Sequence, residues 1–325
     1  MSVLIRAISA YVPPIRISNE ELAARIDTTD EWIRSHTGIG ARHIAPDGVQ
    51  TSDMAVSAAK SALEKAKISI HEIDYIIVAT ATPDYFGFPA TACIVQDKLG
   101  AYGASAFDVT AGCTGFIYAL NIASSMLETS HGRNALVIGA EGLSRITDWN
   151  DRSTAVLFGD GAGAAVLSRI DETGRGCLSF ILGADGSGAK DLYLVQPERA
   201  KAFERQPPLV PVISMNGKKV YDFAVKSITV VIERLLHKTA YRLEDFAWII
   251  PHQANARIVQ AAAKRFSIPM DKIFLNIEEY ANTSAASIPL ALSEMDEKGL
   301  LKPNDLIMLV GFGAGLTYGA AVIRW

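Results

Sequence analysis

Cys113 stands in the stretch DVTAGCTGFIYAL, where an apolar strand-like run meets a helical one. A thiol attacks as its thiolate, and a helix N-terminus offers unpaired N–H groups and partial positive charge that favour that form. A downward shift of about two pKa units, worth roughly 2.7 kcal/mol, would leave the thiol mostly ionised at neutral pH. His252 follows the apolar run FAWII and Pro251, so it too lies at a strand end rather than on a face. Asn282, in YANTSAAS, occupies a third such junction. Taken alone, Cys113 also fits a small core residue, as buried free cysteines usually are, and His252 reads either way. Their matching positions in the chain favour function.

These residues need elements to bring them together, and the chain supplies those elements twice. IDYIIVATATP, from Ile73 to Pro83, reads as a buried strand running into a loop, and FAWIIPHQAN, from Phe246 to Asn255, does the same. ASAFDVTAGCTGF pairs with DKIFLNIEEYANTSAAS, each a short strand opening through small residues into a helix. RNALVIGAEGLS pairs with NDLIMLVGFGAGLT, and FGDGAGAAVLSR with FGAGLTYGAAVIR. The polar, glycine-containing RIDETGRG divides the halves near Arg169 to Gly176, giving units of 1–172 and 173–325. Near-continuous apolar strands predict a mainly parallel sheet covered by helices in each half. Junctions at the carboxyl ends of such strands line one crevice, so Cys113, His252 and Asn282 can meet.

Other features narrow the chemistry. The clusters GDGAG and GFGAG run into β-type segments rather than helices, which argues against a dinucleotide site. Tight turns, with backbone N–H groups near a substrate, are their expected role. Val195 to Val212, with its prolines and mixed charge, reads as a surface loop that could shape a pocket. Cys93 and Cys177 are expected in the core. With 49% hydrophobic residues in 325, the chain can bury a large core. Its three cysteines form no C-x-x-C pair, so neither a disulfide framework nor a zinc site is suggested. A net charge of -4 gives no general attraction to nucleic acid or anionic membrane. The sequence holds no apolar run of the roughly 18 residues that span a bilayer, and MSVLIRAISAYVPPIR lacks a signal-peptide pattern. A soluble, cytoplasmic protein is the expectation.

A wider set of motifs carries a resemblance. DVTAGCTGF, PHQAN, NTSAAS, DTTDEWIRSHTGI, FGDGAGAAVL and GFGAGLTYGAAVIRW together resemble the β-ketoacyl-acyl carrier protein synthase III family, from about Ser9 to Trp325. The resemblance implies an α/β, thiolase-like fold, with duplicated halves in a five-layered αβαβα sandwich. It implies an acyltransferase that needs no cofactor or metal and that initiates type II fatty acid synthesis. Cys113 would take the acyl group of an acyl-CoA; malonyl-acyl carrier protein would then lose carbon dioxide and attack that thioester. His252 and Asn282 would donate to the malonyl thioester oxygen, and the backbone N–H groups of Cys113 and Ala314 would hold the acyl oxyanion. Ala314 stands where many members have glycine.

The same resemblance assigns the periphery. Thr28, Trp32, His36, Arg152 and Asn255 would contact CoA, with Trp32 and Arg152 sandwiching the adenine. His36 stands where an arginine often meets a CoA phosphate. Phe88, Leu143, Phe158, Leu192 and Phe312 would line the acyl pocket, Phe88 reaching into that of a homodimer partner. Gln253, Arg257, Lys264 and Arg265 would dock the acyl carrier protein. The three cations fall at i, i+7 and i+8 on the helix after HQAN, although an ordinary solvated face also explains them. Two rival readings remain. Acyl transfer to an alcohol or amine is disfavoured by Asn282, and a non-enzymatic carrier-protein module by the intact Cys, His and Asn set.

Overall fold

The computed structural model describes residues 1–195 and 211–325. β1 (Ser2–Tyr11) leads to a ribbon of β2 (Ile15–Ser18) and β3 (Ala41–Ile44) that brackets α1 (Asn19–Ala23) and α2 (Asp30–Thr37). Then come α3 (Thr51–Ala66), β4 (Tyr75–Ala79), α4 (Thr91–Leu99), β5 (Ser105–Val109), α5 (Gly115–Thr129), β6 (Asn134–Gly142), α6 (Arg152–Ala155) and β7 (Asp160–Ile170). The second half holds β8 (Gly176–Ala184), the pair β9 (Leu192–Val195) and β10 (Val212–Met215), α7 (Gly217–Thr239), β11 (Trp248–Pro251) and α8 (Ala256–Phe266). It closes with α9 (Ile277–Tyr280), α10 (Ser287–Glu297), β12 (Leu306–Gly313) and β13 (Thr317–Arg324). Val195 pairs with Val212, and the rest of the loop expected there lies outside the described residues.

The first sheet runs β1-β7-β6-β4-β5 and the second β8-β13-β12-β11. The orders correspond, so the repeat extends to β1 and β8. The counterpart of β5 is reduced to one bridge between Ile249 and Ile273, where a short strand was expected. Gln253 accounts for the difference. Its side-chain amide donates to the carbonyls of Pro251 (2.8 Å) and Phe274 (3.2 Å) and accepts from the N–H of Asn276 (3.1 Å), replacing the ladder with side-chain bonds.

Neither sheet is mainly parallel. β4 pairs in parallel with β5 and β6, and β11 with β12; the other four ladders are antiparallel. β12 returns as β13 through residues 314–316, far too short for the crossover that a parallel neighbour requires. The glycine clusters take their expected role as turns only in part: Gly315 lies in the link between β12 and β13, and the others lie in or beside strands. Asp160 to Gly163 lie inside β7, and Gly311 and Gly313 inside β12. Close approach explains the glycine at 313, where a Cβ would stand 2.7 Å from the Cys113 nitrogen.

Period-two alternation sorts each strand between layers. Ile77 and Ala79 of β4 face a central core with α5 and α10, whereas Ile76 and Val78 face α3 and α4. In β12, Ile307 and Leu309 join the central core, and Leu306, Met308 and Val310 pack on α7 and α8. The result is five layers: α3 and α4, the first sheet, α5 with α10, the second sheet, then α7 and α8. Gly139 lets the start of α10 lie on the first sheet, since a Cβ there would meet the Ala285 carbonyl oxygen. α5 and α10 thus both begin at the middle of the molecule, and both carry a candidate residue just before their first turn.

Candidate active site

β5 ends at Val109, and a 3-10 turn over Gly112–Thr114 carries Cys113 into α5. The hydroxyl of Thr114 lies 2.6 Å from the Ala111 carbonyl and 2.8 Å from the Thr317 hydroxyl. Thr317 in turn lies 2.9 Å from the Ala314 carbonyl. The cysteine turn is therefore stitched to the link between β12 and β13, which fixes Cys113 against Ala314.

Burial pushes the Cys113 thiol up to about 11, against the lowering expected from its helix. A hydrogen bond from Ser284 and those from the N–H groups of Ala314 and Cys113 itself act in the opposite direction, while Glu141 adds to the rise. Desolvation exceeds the partial charges of a turn that has only begun its helix. Glu141 is fully buried behind this wall. Its carboxyl accepts from the N–H groups of Ala81 (3.0 Å) and Thr82 (3.1 Å) and from the Thr82 hydroxyl (2.6 Å). Burial pushes that carboxyl above its ordinary range.

His252 leaves the end of β11 with its backbone N–H held by the Val310 carbonyl at 2.7 Å. Its ring is buried, 5.4 Å from Phe312 in an edge-on arrangement, and burial pushes it down to about 3. It is therefore a neutral imidazole. Nδ1 lies 2.7 Å from the Ser287 hydroxyl, and Ser287 Oγ also accepts from the Gln253 N–H at 3.4 Å. With the hydroxyl hydrogen directed at Nδ1, the ring proton lies on Nε2. Asn282 is fixed by its backbone bonds to Leu157 and Gly159. Its Oδ1 accepts from the Ser284 N–H at 2.9 Å, which leaves Nδ2 to donate.

Cys113, His252 and Asn282 line one cavity of about 170 Å³ together with Phe158, Leu192, Asn255 and Phe312. A side branch of about 80 Å³ continues from Cys113 between Leu143, Ile146, Phe158, Leu192, Leu194 and Ile213. Three of the five expected acyl-pocket residues thus share this branch. Phe312 stands instead behind His252, and Phe88 is 90% exposed, away from both cavities of its own chain.

Trp32 carries two neighbours. His36 stacks on it at 4.4 Å between centroids, and the Arg152 guanidinium carbon lies 5.0 Å from its ring centre. An adenine between Trp32 and Arg152 would need roughly 7 Å, twice an ordinary stacking distance, so the expected sandwich is closed in this state. The Thr28 hydroxyl is buried with no partner among the described residues. Asn255 caps α8, accepting from the Arg257 N–H (2.8 Å) and donating to the His36 carbonyl (3.0 Å). Arg257, Lys264 and Arg265 are exposed, with Arg265 3.9 Å from Glu233. Gln253 is not with them. It is 1% exposed, and its amide is consumed by the backbone bonds described above. Cys93 is exposed rather than in the core, while Cys177 is buried.

Glu141, Ser284 and Ser287 escaped the sequence reading. A carboxylate inside the apolar run NALVIGAEG is a visible signal, because lone buried charges demand a reason. The two serines lie two and five residues beyond Asn282, and nothing local marks which faces a reacting group.

Residues 107–186 match the family described as 3-oxoacyl-[acyl-carrier-protein (ACP)] synthase III, and residues 236–325 its C-terminal counterpart. A β-ketoacyl-[acyl-carrier-protein] synthase III of Oceanobacillus iheyensis is 47% identical over 325 residues, covering 100% of this chain and 99% of its own. The chain belongs to the β-ketoacyl-acyl carrier protein synthase III family. A Bacillus anthracis protein named β-ketoacyl-[acyl-carrier-protein] synthase III 1 is 48% identical, with the same coverage. The crystal structure of the Aquifex aeolicus 3-oxoacyl-[acyl-carrier-protein] synthase III superposes with a TM-score of 0.92 at 43% identity, covering 99% of this chain and 100% of the other. This establishes the thiolase-like fold and an acyl-transferring condensing enzyme that initiates fatty acid synthesis. No helix among the described residues is long and apolar enough to cross a membrane.

Proposed function

We propose that Cys113 accepts the acyl group of a short acyl-CoA and that malonyl-acyl carrier protein extends it by two carbons. In the first step the Cys113 sulfur bonds to the acyl carbon, the bond to the CoA sulfur breaks, and the thiol proton ends on CoA. In the second, the malonyl carbon–carboxylate bond breaks and carbon dioxide leaves. The resulting enolate carbon bonds to the acyl carbon, and the Cys113 sulfur departs and is reprotonated. His252 through Nε2–H and Asn282 through Nδ2 donate to the enolate oxygen, while the N–H groups of Cys113 and Ala314 face the acyl oxyanion.

The observation that carries this reading is His252. A neutral imidazole with Nδ1 against the Ser287 hydroxyl, in one cavity with a thiol and a free amide donor, suits stabilisation of an enolate through Nε2–H. The apolar side branch that continues from Cys113 favours a short acyl primer. Trp32 and Arg152 would part to take the adenine, and the exposed Arg257, Lys264 and Arg265 would meet an acidic carrier protein. Tyr85, Phe86 and Phe88 form an exposed aromatic group, and the outer edge of β5 is unpaired among the described residues; both favour a homodimer. The reading places the enzyme in the cytoplasm, with its CoA and carrier-protein substrates.

The test is mass spectrometry of carrier-protein products after mixing enzyme, malonyl-acyl carrier protein and competing straight and branched acyl-CoAs. A β-ketoacyl product of a short primer is expected. Acyl-enzyme on Cys113 without that product would overturn the roles given to His252 and Asn282.

A further inference from the structure

Arg42 is the largest fully buried side chain of the molecule as described, a guanidinium with no exposure to solvent. Among the described residues no carboxylate touches it. Its three acceptors are uncharged oxygens: the Ile17 carbonyl at 3.4 Å, Asn19 Oδ1 at 2.8 Å and the Val156 carbonyl at 3.0 Å. Its Nε has no partner among the described residues. Burial pushes the group down to about 10, which still leaves it charged at neutral pH. A buried charge without a counter-charge opposes folding, so its acceptors indicate what it is retained to hold.

Those acceptors belong to two separate pieces of one subsite. Asn19 passes the contact on, its Nδ2 donating to Asp30 Oδ1 and to the Ile39 carbonyl, each at 2.8 Å. Asp30 is the first residue of α2, two residues before Trp32. Val156 is the C-terminal cap of α6, whose first residue is Arg152. A cation at that end of a helix is also favourably placed. Above this anchor, Arg152 donates to the Asp27 carbonyl at 3.1 Å and stands 5.0 Å from the Trp32 ring. The two halves of the clamp are thus far apart in sequence and share one buried bolt.

We propose that Arg42 is a positioning residue for the nucleotide end of acyl-CoA, setting the spacing between Trp32 and Arg152 without touching the ligand. This rests on the reading of Trp32 and Arg152 as the adenine clamp. Arg42→Lys keeps the charge but not the two-sided fork, and Arg42→Met removes both. Asn19→Ala cuts the link to Asp30 while leaving Arg42 in place, and it decides the matter if the Arg42 variants do not fold.

The experiment compares acyl-CoA with the matching acyl-pantetheine, which lacks the nucleotide, in steady-state assays of each variant and of Trp32→Ala. For the Arg42 and Asn19 variants, KM for acyl-CoA is expected to rise about fivefold to tenfold, the part of a cation–π stack that misplacement removes. Their kcat, and kcat/KM for acyl-pantetheine, should stay at the wild-type value. A merely structural residue would change both substrates alike or neither, and either result overturns the proposal. Trp32→Ala separates the two failures. If it loses selectivity for acyl-CoA and the Arg42 variants do not, the inference alone fails. If Trp32→Ala also treats both substrates as wild type does, the clamp reading fails and the inference with it.

Discussion

Ser287→Ala isolates the contribution of one hydroxyl to one half of the reaction. The Ser287 hydroxyl lies 2.7 Å from His252 Nδ1 in a buried setting, and in the proposed reaction it donates there and holds the ring proton on Nε2. Its removal leaves Nδ1 without a donor, a loss of about 1 to 3 kcal/mol for a buried polar atom. With no hydroxyl there, nothing holds the proton on Nε2, and in the Nδ1–H tautomer Nε2 accepts instead of donating. A bias of about 1.4 kcal/mol corresponds to a factor of about ten in the population of the donating form. Condensation should therefore slow about tenfold. Acylation of Cys113 should not, because Ser287 faces His252 and has no hydrogen bond to the thiol.

The two steps can be timed apart. Rapid quenching followed by intact-protein mass spectrometry gives the rate at which acyl-CoA alone loads Cys113. Pre-acylated enzyme mixed with malonyl-acyl carrier protein gives the second rate. Ser287→Thr, which keeps a hydroxyl, should restore most of the loss. Equal slowing of both steps, or unchanged condensation by a variant that melts like wild type, would refute the tautomer argument.

Four further outcomes follow from the geometry. Alkylation of Cys113 by iodoacetamide in the free enzyme should rise about tenfold per pH unit from pH 7 to about pH 10, following a thiol near 11; a plateau near neutrality would show a helix-stabilised thiolate after all. Folded His252 stays neutral down to about 3 while the unfolded chain protonates it near 6.5, so the folded state binds fewer protons between those values. Stability should then fall as pH drops through that window, by up to about 1.4 kcal/mol per unit, and denaturant titrations of His252→Gln should show a flatter slope. Gln253→Ala removes three backbone bonds and should cost about 2 to 4 kcal/mol in urea unfolding while leaving carrier-protein affinity unchanged; weakened affinity in a folded variant would restore its docking role. Ile213→Ala opens the branch beside Cys113 and should move competition between acyl-CoAs toward longer primers by about fourfold per methylene; an unchanged ranking would exclude that wall.

The fold was legible wherever the pattern was repeated, and less so where a single side chain replaced a backbone element. Alternation in the strands around Ile77 and Leu309 specifies two faces each, and the doubled order of elements specifies the layers. Strand direction is another matter. Nothing in NDLIMLVGFGAGLT states that the chain turns back within residues 314–316, so the antiparallel partner of β12 had to be seen. Gln253 shows the same limit from the other side, since a polar residue in PHQAN looks like a surface contact until its amide is found completing a missing strand. Cys113, His252 and Asn282 could be located because they end three equivalent segments. Ser287 and Glu141 act through atoms brought near by packing, and no spacing rule reaches them.

The titration pattern of the cavity carries a consequence for mechanism. Burial raises the Cys113 thiol, raises the Glu141 carboxyl and lowers the His252 ring, so each is moved toward its uncharged form. A site arranged in this way holds little charge of its own before substrate enters. In the proposed reaction, charge appears in transit: on sulfur as CoA leaves, on the acyl oxygen as the tetrahedral species forms, on the enolate oxygen as carbon dioxide departs. Donors that are already fixed, the N–H groups of Cys113 and Ala314, the Nε2–H of His252 and the amide of Asn282, need no reorganisation when that happens. Their effect is greater in a desolvated cavity than it would be in water. An enzyme resting with a thiolate and an imidazolium would neutralise that pair on acylation and lose stabilisation as it reacts. Keeping both groups uncharged directs the available electrostatic stabilisation to the transition states, where it accelerates the reaction.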